Sequence, residues 1–117
     1  MTAECIWFDY LEDILDAMNK VRAFIEGMDF EQFGQDSKTA FAVVHALEII
    51  GEASKRVPQS VRHACPEMPW RAMAGMRDKL VHDYFGINLA VLWKTVTEDL
   101  PVIEPLVRKI IEDTKSS

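Results

Sequence analysis

An arginine, a histidine and a tyrosine stand close together in residues 76–84. Arg77 and His82 are separated by four residues, and Tyr84 follows His82 after one more. A guanidinium holds a phosphate through a planar, permanently charged fork, whereas an imidazole titrates near neutrality and moves a proton. These residue types are therefore suited to phosphodiester chemistry.

If both side chains reach one phosphate, the chemistry is cleavage of RNA without a metal. The 2′-hydroxyl attacks the phosphorus, and Arg77 neutralises the charge that builds on the non-bridging oxygens. His82 acts as general base, or as general acid toward the leaving 5′ oxygen. DNA lacks the attacking hydroxyl and would not be cut. Asp78, Lys79 and Asp83 are candidate supporting residues, with Asp78 placed to orient one of the catalytic groups.

The spacing alone does not make an active site. Five residues on a regular helix turn through about 140°, so Arg77 and His82 do not share a face. They meet only if the helix ends or distorts, for which Gly86 gives an opportunity, or if a second copy of the site faces the first. The ordinary alternative is a surface arginine, a partly buried histidine and, in Tyr84, a core aromatic residue.

The other histidines are weaker candidates. His45 lies in an apolar run and is interpreted as an inner-helix residue whose polar atoms are satisfied. His63 and Cys65 could bind a metal ion, but no second ligand pair lies in range. We therefore predict no metal site and no cofactor.

The composition indicates one soluble helical domain, residues 1–117. Apolar residues make up 49% of the 117 residues and charged residues 27%, with five Gly, five Pro and no alternating strand pattern. The chain shows no secretory leader and no membrane-length apolar run. Its two cysteines form no recognised motif. We expect an all-α, four- to five-helix up-down bundle in the cytoplasm, with no membrane contact.

The net charge of −6 is unevenly distributed. Residues 1–50 contain three basic and ten acidic residues, whereas residues 51–80 contain six basic and three acidic ones. The basic excess surrounds Arg77, where it would attract an anion such as RNA. An excess of three charges over thirty residues is also a modest fluctuation, so the pattern leaves both interpretations open.

Apolar periodicity and punctuation divide the chain into helices. A stripe at alternating spacings of four and three predicts a long first helix that packs in a bundle or against a partner chain, and its members are Trp7, Leu11, Ile14, Met18, Val21, Ile25 and Met28. Gly27 ends it, with a short turn near 30–33. A second helix starts at Asp36 or Ser37 and ends near Arg56 before Pro58, and a turn of helix is expected at 60–64.

The motif is predicted to lie on a third helix. Pro69 would take its first position, and the helix would run from Trp70 to about residue 84 before Gly86 breaks it. Asn88 caps a fourth helix, and Pro101 begins or kinks a final segment over 102–112.

The order of several landmarks resembles HepT-like proteins of the HEPN superfamily, the toxin half of HEPN/MNT toxin–antitoxin pairs. The landmarks are the runs 51–55, 69–71, 75–86, 91–93 and 99–101, which read GEASK, PWR, GMRDKLVHDYFG, VLW and DLP. The similarity covers nearly the whole chain.

This resemblance implies a helical homodimer with two Arg-x4-His-x-Tyr motifs in an interface cleft. It implies a metal-independent ribonuclease with Arg77 and His82 as the catalytic pair. It also implies a nucleotidyltransferase antitoxin of the MNT type that adds AMP to Tyr84 and silences the toxin. Asp83 departs from the small residue, typically glycine, of the family pattern. An acidic side chain beside His82 would raise its pKa or disfavour the approach of RNA.

Two other functions fit the sequence. The chain could be a non-catalytic subunit that docks a nucleotidyltransferase through the same cleft. It could also be a structural bundle in which Arg77 and His82 have no active role.

Overall fold

A long first helix, α1 (Ala3–Ile25), forms the centre of the fold. The computed structural model describes residues 3–76 and 88–116, with side chains from Trp7 onward. The predicted stripe is confirmed as the core face of α1, because Leu11, Ile14, Met18 and Val21 are buried. The helix ends before Gly27, whose φ of 78° lies in the left-handed region that glycine tolerates. The stripe is covered within the chain, so it gives no support to a dimer interface on that face of α1.

Side-chain caps set the starts of the next two helices, α2 (Phe30–Gln35) and α3 (Ser37–Arg56). Asp29 and Gln32 form a reciprocal capping box at α2. At α3 the carboxylate of Asp36 accepts the Thr39 N–H over 3.0 Å, which confirms the predicted cap. Helix α3 ends at Arg56, as predicted, because Val57 is extended ahead of Pro58.

Two short helices follow, α4 (Gln59–Ala64) and α5 (Trp70–Ala74). Pro69 is the N-cap residue of α5, one position earlier than predicted, so Trp70 is the first helical residue. The predicted unbroken third helix is wrong at Gly75, where α5 stops and the Gly75 N–H bonds to the carbonyl of Arg71. Met76 is helical again. The remainder of that predicted helix, 77–84, and its break at Gly86 lie outside the described residues.

The last part of the chain is helical without interruption from residue 89 to residue 116. It consists of α6 (Leu89–Lys94), a π turn (Thr95–Asp99) and α7 (Leu100–Ser116). The predicted final segment is confirmed as α7, which begins at Leu100, directly before Pro101, although no break separates it from the π turn. A proline in a helix lacks the N–H donor and crowds the carbonyl four residues back. The π turn widens the helix immediately before Pro101, and there the Leu100 N–H bonds to the carbonyl of Thr95, five residues back.

The long helices pack antiparallel. Tyr10 and Arg56 line one groove between α1 and α3, and Phe24 and Ala42 line another, so the two helices run in opposite directions. On the other side of α1, Arg22 and Arg108 both bind the carboxylate of Glu104 in α7, the latter over 3.1 Å. Arg108 also donates to Asn19 of α1 over 3.3 Å.

The buried residues of these helices form one hydrophobic cluster. No strand occurs within 3–76 or 88–116, and the prediction of an all-α bundle is confirmed. None of the described helices is long and apolar enough to cross a membrane.

Candidate functional site

The predicted site falls on a segment between two well-anchored points. All six predicted site residues lie outside the described residues: Arg77, Asp78, Lys79, His82, Asp83 and Tyr84. The described structure ends at Met76 on one side of this segment and resumes at Asn88 on the other. The contacts that fix Met76 and Asn88 therefore set the two ends of this segment.

Three buried side chains fix the first point, two in α5 and one just after it. Trp70, Met73 and Met76 recur every three residues, so they fall along one side of the chain and enter the core. The indole Nε1–H of Trp70 donates to the carbonyl oxygen of Cys65 over 3.1 Å, which satisfies its one polar atom. Since Met76 is buried, the chain enters the motif directly from the core.

Helix α5 approaches α3 closely at Gly51. An ideal Cβ built on Gly51 would lie 3.4 Å from the carbonyl oxygens of both Met73 and Ala74. A glycine inside a helix costs roughly 0.5–1 kcal/mol relative to alanine. The contact leaves room at this position of α3 for a methyl group and little more. Sequence reasoning missed this positioning role, although a lone glycine inside a strongly periodic helix is the signal that could have revealed it.

The second point is fixed by Asn88 and by an aromatic contact. The Asn88 side chain accepts the Val91 N–H over 3.1 Å, which confirms the predicted cap of α6. Trp93 of α6 packs its ring 5.0 Å from that of Phe33, a fully buried residue of α2. The motif segment therefore joins the α3–α5 contact to the α2–α6 contact.

Some basic side chains of residues 51–80 hold the fold together, and others are free to bind an anion. The Arg62 guanidinium donates to the carbonyls of Val57 and Lys55 over 2.9 and 2.8 Å, which ties α4 to the end of α3. Lys55 lies 3.7 Å from Glu52 at helical spacing. Arg56 and Arg71 are exposed and form no ion pair within 3–76 and 88–116. These two arginines remain available for an anionic ligand.

The secondary candidates take different positions from those predicted. His45 is exposed, so its interpretation as an inner-helix residue is wrong: its apolar neighbours point to the core and it points away from them. Across a groove it faces Asp13 and Asp16 of α1. Cys65 is half-buried, and burial followed by the nearby charges of Glu67 and Asp113 raises the pKa of its thiol. A raised pKa disfavours the thiolate that a metal would require.

Comparison with known proteins places the chain among ribonucleases. The family model described as Ribonuclease HepT-like matches residues 14–110, a range that includes the motif. A probable ribonuclease HepT of Thermococcus cleftensis is 53% identical over 87% of this chain and 93% of its own length. Putative RNases of Caldanaerobacter subterraneus and Methanocaldococcus jannaschii are 41% and 40% identical over 91% and 89% of this chain, and 95% and 90% of their own lengths. No solved structure matches the chain.

The chain belongs to the HepT-like ribonuclease family. The resemblance seen in the sequence landmarks is thereby confirmed, and so is the assignment to a family of ribonucleases.

Proposed function

We propose that the protein is a metal-independent endoribonuclease, the toxin of a HEPN/MNT pair in the cytoplasm, formed by one HEPN-like domain over residues 1–117. Arg77 and His82 are its catalytic pair. The observation that carries this proposal is the family match across residues 14–110, which runs through the whole Arg-x4-His-x-Tyr motif. The anchoring of the chain at Met76 and Asn88 supports it, because a catalytic segment needs fixed ends.

The reaction needs only groups of this chain and of the RNA. His82 takes the proton of the 2′-hydroxyl as its oxygen bonds to phosphorus, and Arg77 neutralises the non-bridging oxygens. The bond to the 5′ oxygen then breaks, and an imidazolium returns a proton to that oxygen. A 2′,3′-cyclic phosphate and a 5′-hydroxyl end are the products. Asp78, Lys79 and Asp83 support the pair by orientation and charge.

Control of this activity is proposed to act at Tyr84. Addition of AMP by an MNT-type nucleotidyltransferase would place a bulky anion two residues from His82. The adduct would fill the cleft and repel the phosphates of RNA. The unmodified protein acts as a homodimer, in which two motifs share one cleft.

Cleavage of cellular RNA in excess chelator tests the proposal. Wild-type protein should cut RNA and leave cyclic phosphate ends, whereas Arg77→Ala and His82→Ala should lower the rate by at least about 100-fold, the usual contribution of a general acid–base group. A control variant, Lys109→Ala on the exposed side of α7, should cut normally. If unmodified wild-type protein leaves the RNA intact, the proposed ribonuclease activity is refuted. If the alanine variants then also fail to bind a nucleotidyltransferase, the motif is a docking surface.

A further inference from the structure

Two adjoining grooves lie between α1 and α3 on the surface of the protein. Both are lined by Asp13, His45 and Ile49, so they form one continuous depression, which we call the α1–α3 groove. On α1 it extends from Tyr10 to Phe24. About 14 helical residues correspond to about 21 Å, so the groove is long enough for a helix of about four turns.

The floor of the α1–α3 groove consists of small apolar side chains. Ala17 of α1 and Ala46 and Ala53 of α3 line it, and all three are buried. Side chains this small allow a third helix to approach to about 8 Å, the short end of the usual packing distances. Phe24 and Ile49 also line the groove and are 39% and 37% exposed, so they offer apolar surface to a bound helix.

The charged side chains of the α1–α3 groove are mainly acidic. Four carboxylates and two basic side chains line it. One base, Lys20, pairs with Asp16 over 3.0 Å, and the other, Arg56, lies near the end of the groove. Asp13 and Glu48 form no ion pair within residues 3–76 and 88–116. The middle of the groove is therefore negatively charged.

An acidic rim around an apolar floor determines which molecule fits. The phosphates of RNA would be repelled by Asp13 and Glu48. A second copy of the chain bound groove to groove would bring two sets of carboxylates together, which like-charge repulsion disfavours. A helix with lysine or arginine on either side of an apolar stripe complements both the floor and the rim.

We propose that the α1–α3 groove binds a basic amphipathic helix of a partner protein. The apolar stripe of that helix lies on the alanine floor against Phe24 and Ile49, and its basic side chains pair with Asp13 and Glu48. The proposed cleavage reaction uses none of these residues, so the inference goes beyond the proposed function and does not depend on it.

Two synthetic peptides test the chemistry of the bound helix. Both have leucines at alternating spacings of four and three over about 18 residues, which gives one apolar stripe. One peptide has lysine and arginine at the flanking positions, and the other has glutamate there. In fluorescence anisotropy with the wild-type protein, the basic peptide should bind at least about 10-fold more tightly. Equal affinity of the two peptides would overturn the inference.

Charge reversal in the groove tests where the basic peptide binds. Asp13→Lys combined with Glu48→Lys should raise its Kd about 10- to 30-fold, because two attractions become two repulsions. The milder pair Asp13→Asn with Glu48→Gln removes the charges without reversing them and should raise the Kd about 3- to 10-fold.

A second double variant controls for the total charge of the protein. Glu67→Lys with Glu112→Lys reverses two exposed charges elsewhere and changes the net charge by the same amount, so it should keep nearly the wild-type Kd. If both charge reversals weaken binding equally, the peptide responds to the total charge and the α1–α3 groove is not its site.

The apolar part of the site has its own matched pair. Phe24→Ser should raise the Kd of the basic peptide at least about 3-fold, from the loss of apolar contact. Val102→Ser on α7, where the valine is 68% exposed, should leave it unchanged. An unchanged Kd for Phe24→Ser would show that the peptide does not lie on this floor.

Sedimentation equilibrium of the protein alone distinguishes a partner helix from a second copy. The mass of the Asp13→Lys, Glu48→Lys variant should equal that of the wild type. A different mass would assign the groove to a contact between copies of this chain and overturn the inference. Because neither measurement uses RNA, either result leaves the test of ribonuclease activity unaffected.

Discussion

The close approach of α3 and α5 can be tested at Gly51. A Cβ at this position would sit 3.4 Å from two carbonyl oxygens, which is the near limit of ordinary contact. We therefore expect Gly51→Ala to fit: the gain of about 1 kcal/mol from helix propensity offsets the tighter contact, so stability stays equal or rises slightly. Gly51→Val adds two methyl groups that reach further toward those oxygens. It should cost about 1–3 kcal/mol by overpacking.

The same displacement should reach the active site. Because Met76 is held next to this contact, moving α5 away from α3 moves the start of the motif segment. A shift of about 1 Å in a catalytic group can lower a rate about 100-fold. Gly51→Val should therefore lose both stability and RNA cleavage, whereas Gly51→Ala should keep both.

Urea unfolding and initial rates of RNA cleavage measure the two effects. The control is Gly34, a glycine of α2 at which an added Cβ would meet nothing within 4 Å, so Gly34→Ala and Gly34→Val should both leave cleavage unchanged. If Gly51→Val is as stable and as active as Gly51→Ala, the glycine contact does not position α5, and the reasoning is wrong.

Two further predictions concern the ends of α3. Arg62→Lys keeps the charge but cannot make both bonds to the carbonyls of Val57 and Lys55, so the free energy of unfolding in urea should fall by about 1–3 kcal/mol; an unchanged value would show that these bonds contribute nothing. At the other end, the Thr39 N–H, followed by its hydroxyl, lowers the pKa of Asp36 from 3.8. A carboxylate whose pKa is lowered by folding stabilises the fold at a pH above its unfolded-state pKa. That stabilisation is lost as the pH falls through the lowered pKa of the folded state. The excess in Tm of wild type over Asp36→Asn, measured by circular dichroism, should therefore be largest near neutrality and vanish in acid, and a constant difference would contradict it.

Local signals in the sequence were enough to predict most helix boundaries. Asp36 and Asn88 act as caps because each offers a side-chain oxygen to an N–H three residues later, a bond that needs no tertiary context. The end of α3 follows equally locally from Pro58, which restricts Val57 to extended backbone. The apolar stripe of α1 likewise identified the core face of that helix, because its spacing can be read from the sequence of one helix alone.

Features that depend on neighbours in space were predicted less well. His45 lies in an apolar run, yet it faces outward, because the run contains residues from opposite sides of one helix. Pro101 correctly marks the start of the last helix, but its own chemistry does not reveal the π turn that joins that helix to the preceding one. The position of α5 depends on contacts with α3, which the sequence of either helix does not reveal alone. The arrangement of Arg77, His82 and Tyr84 remains a prediction of the motif.

The π turn has a consequence for how this chain tolerates changes of length. On a regular helix, residues 92 and 100 would be rotated by about 80° from each other, yet Leu92, Val96 and Leu100 all lie in the core. The wider turn contains about one extra residue, which offsets about 100° of rotation around the helix axis. The buried sides of the helix before and after the turn therefore point in the same direction. Loss of one residue within Thr95–Asp99 would shorten the helix while Ile103 and Val107 stayed on the buried side after a small rotation. The same deletion inside α7 would turn every later apolar residue toward water, so length variation among relatives is expected to concentrate at the π turn.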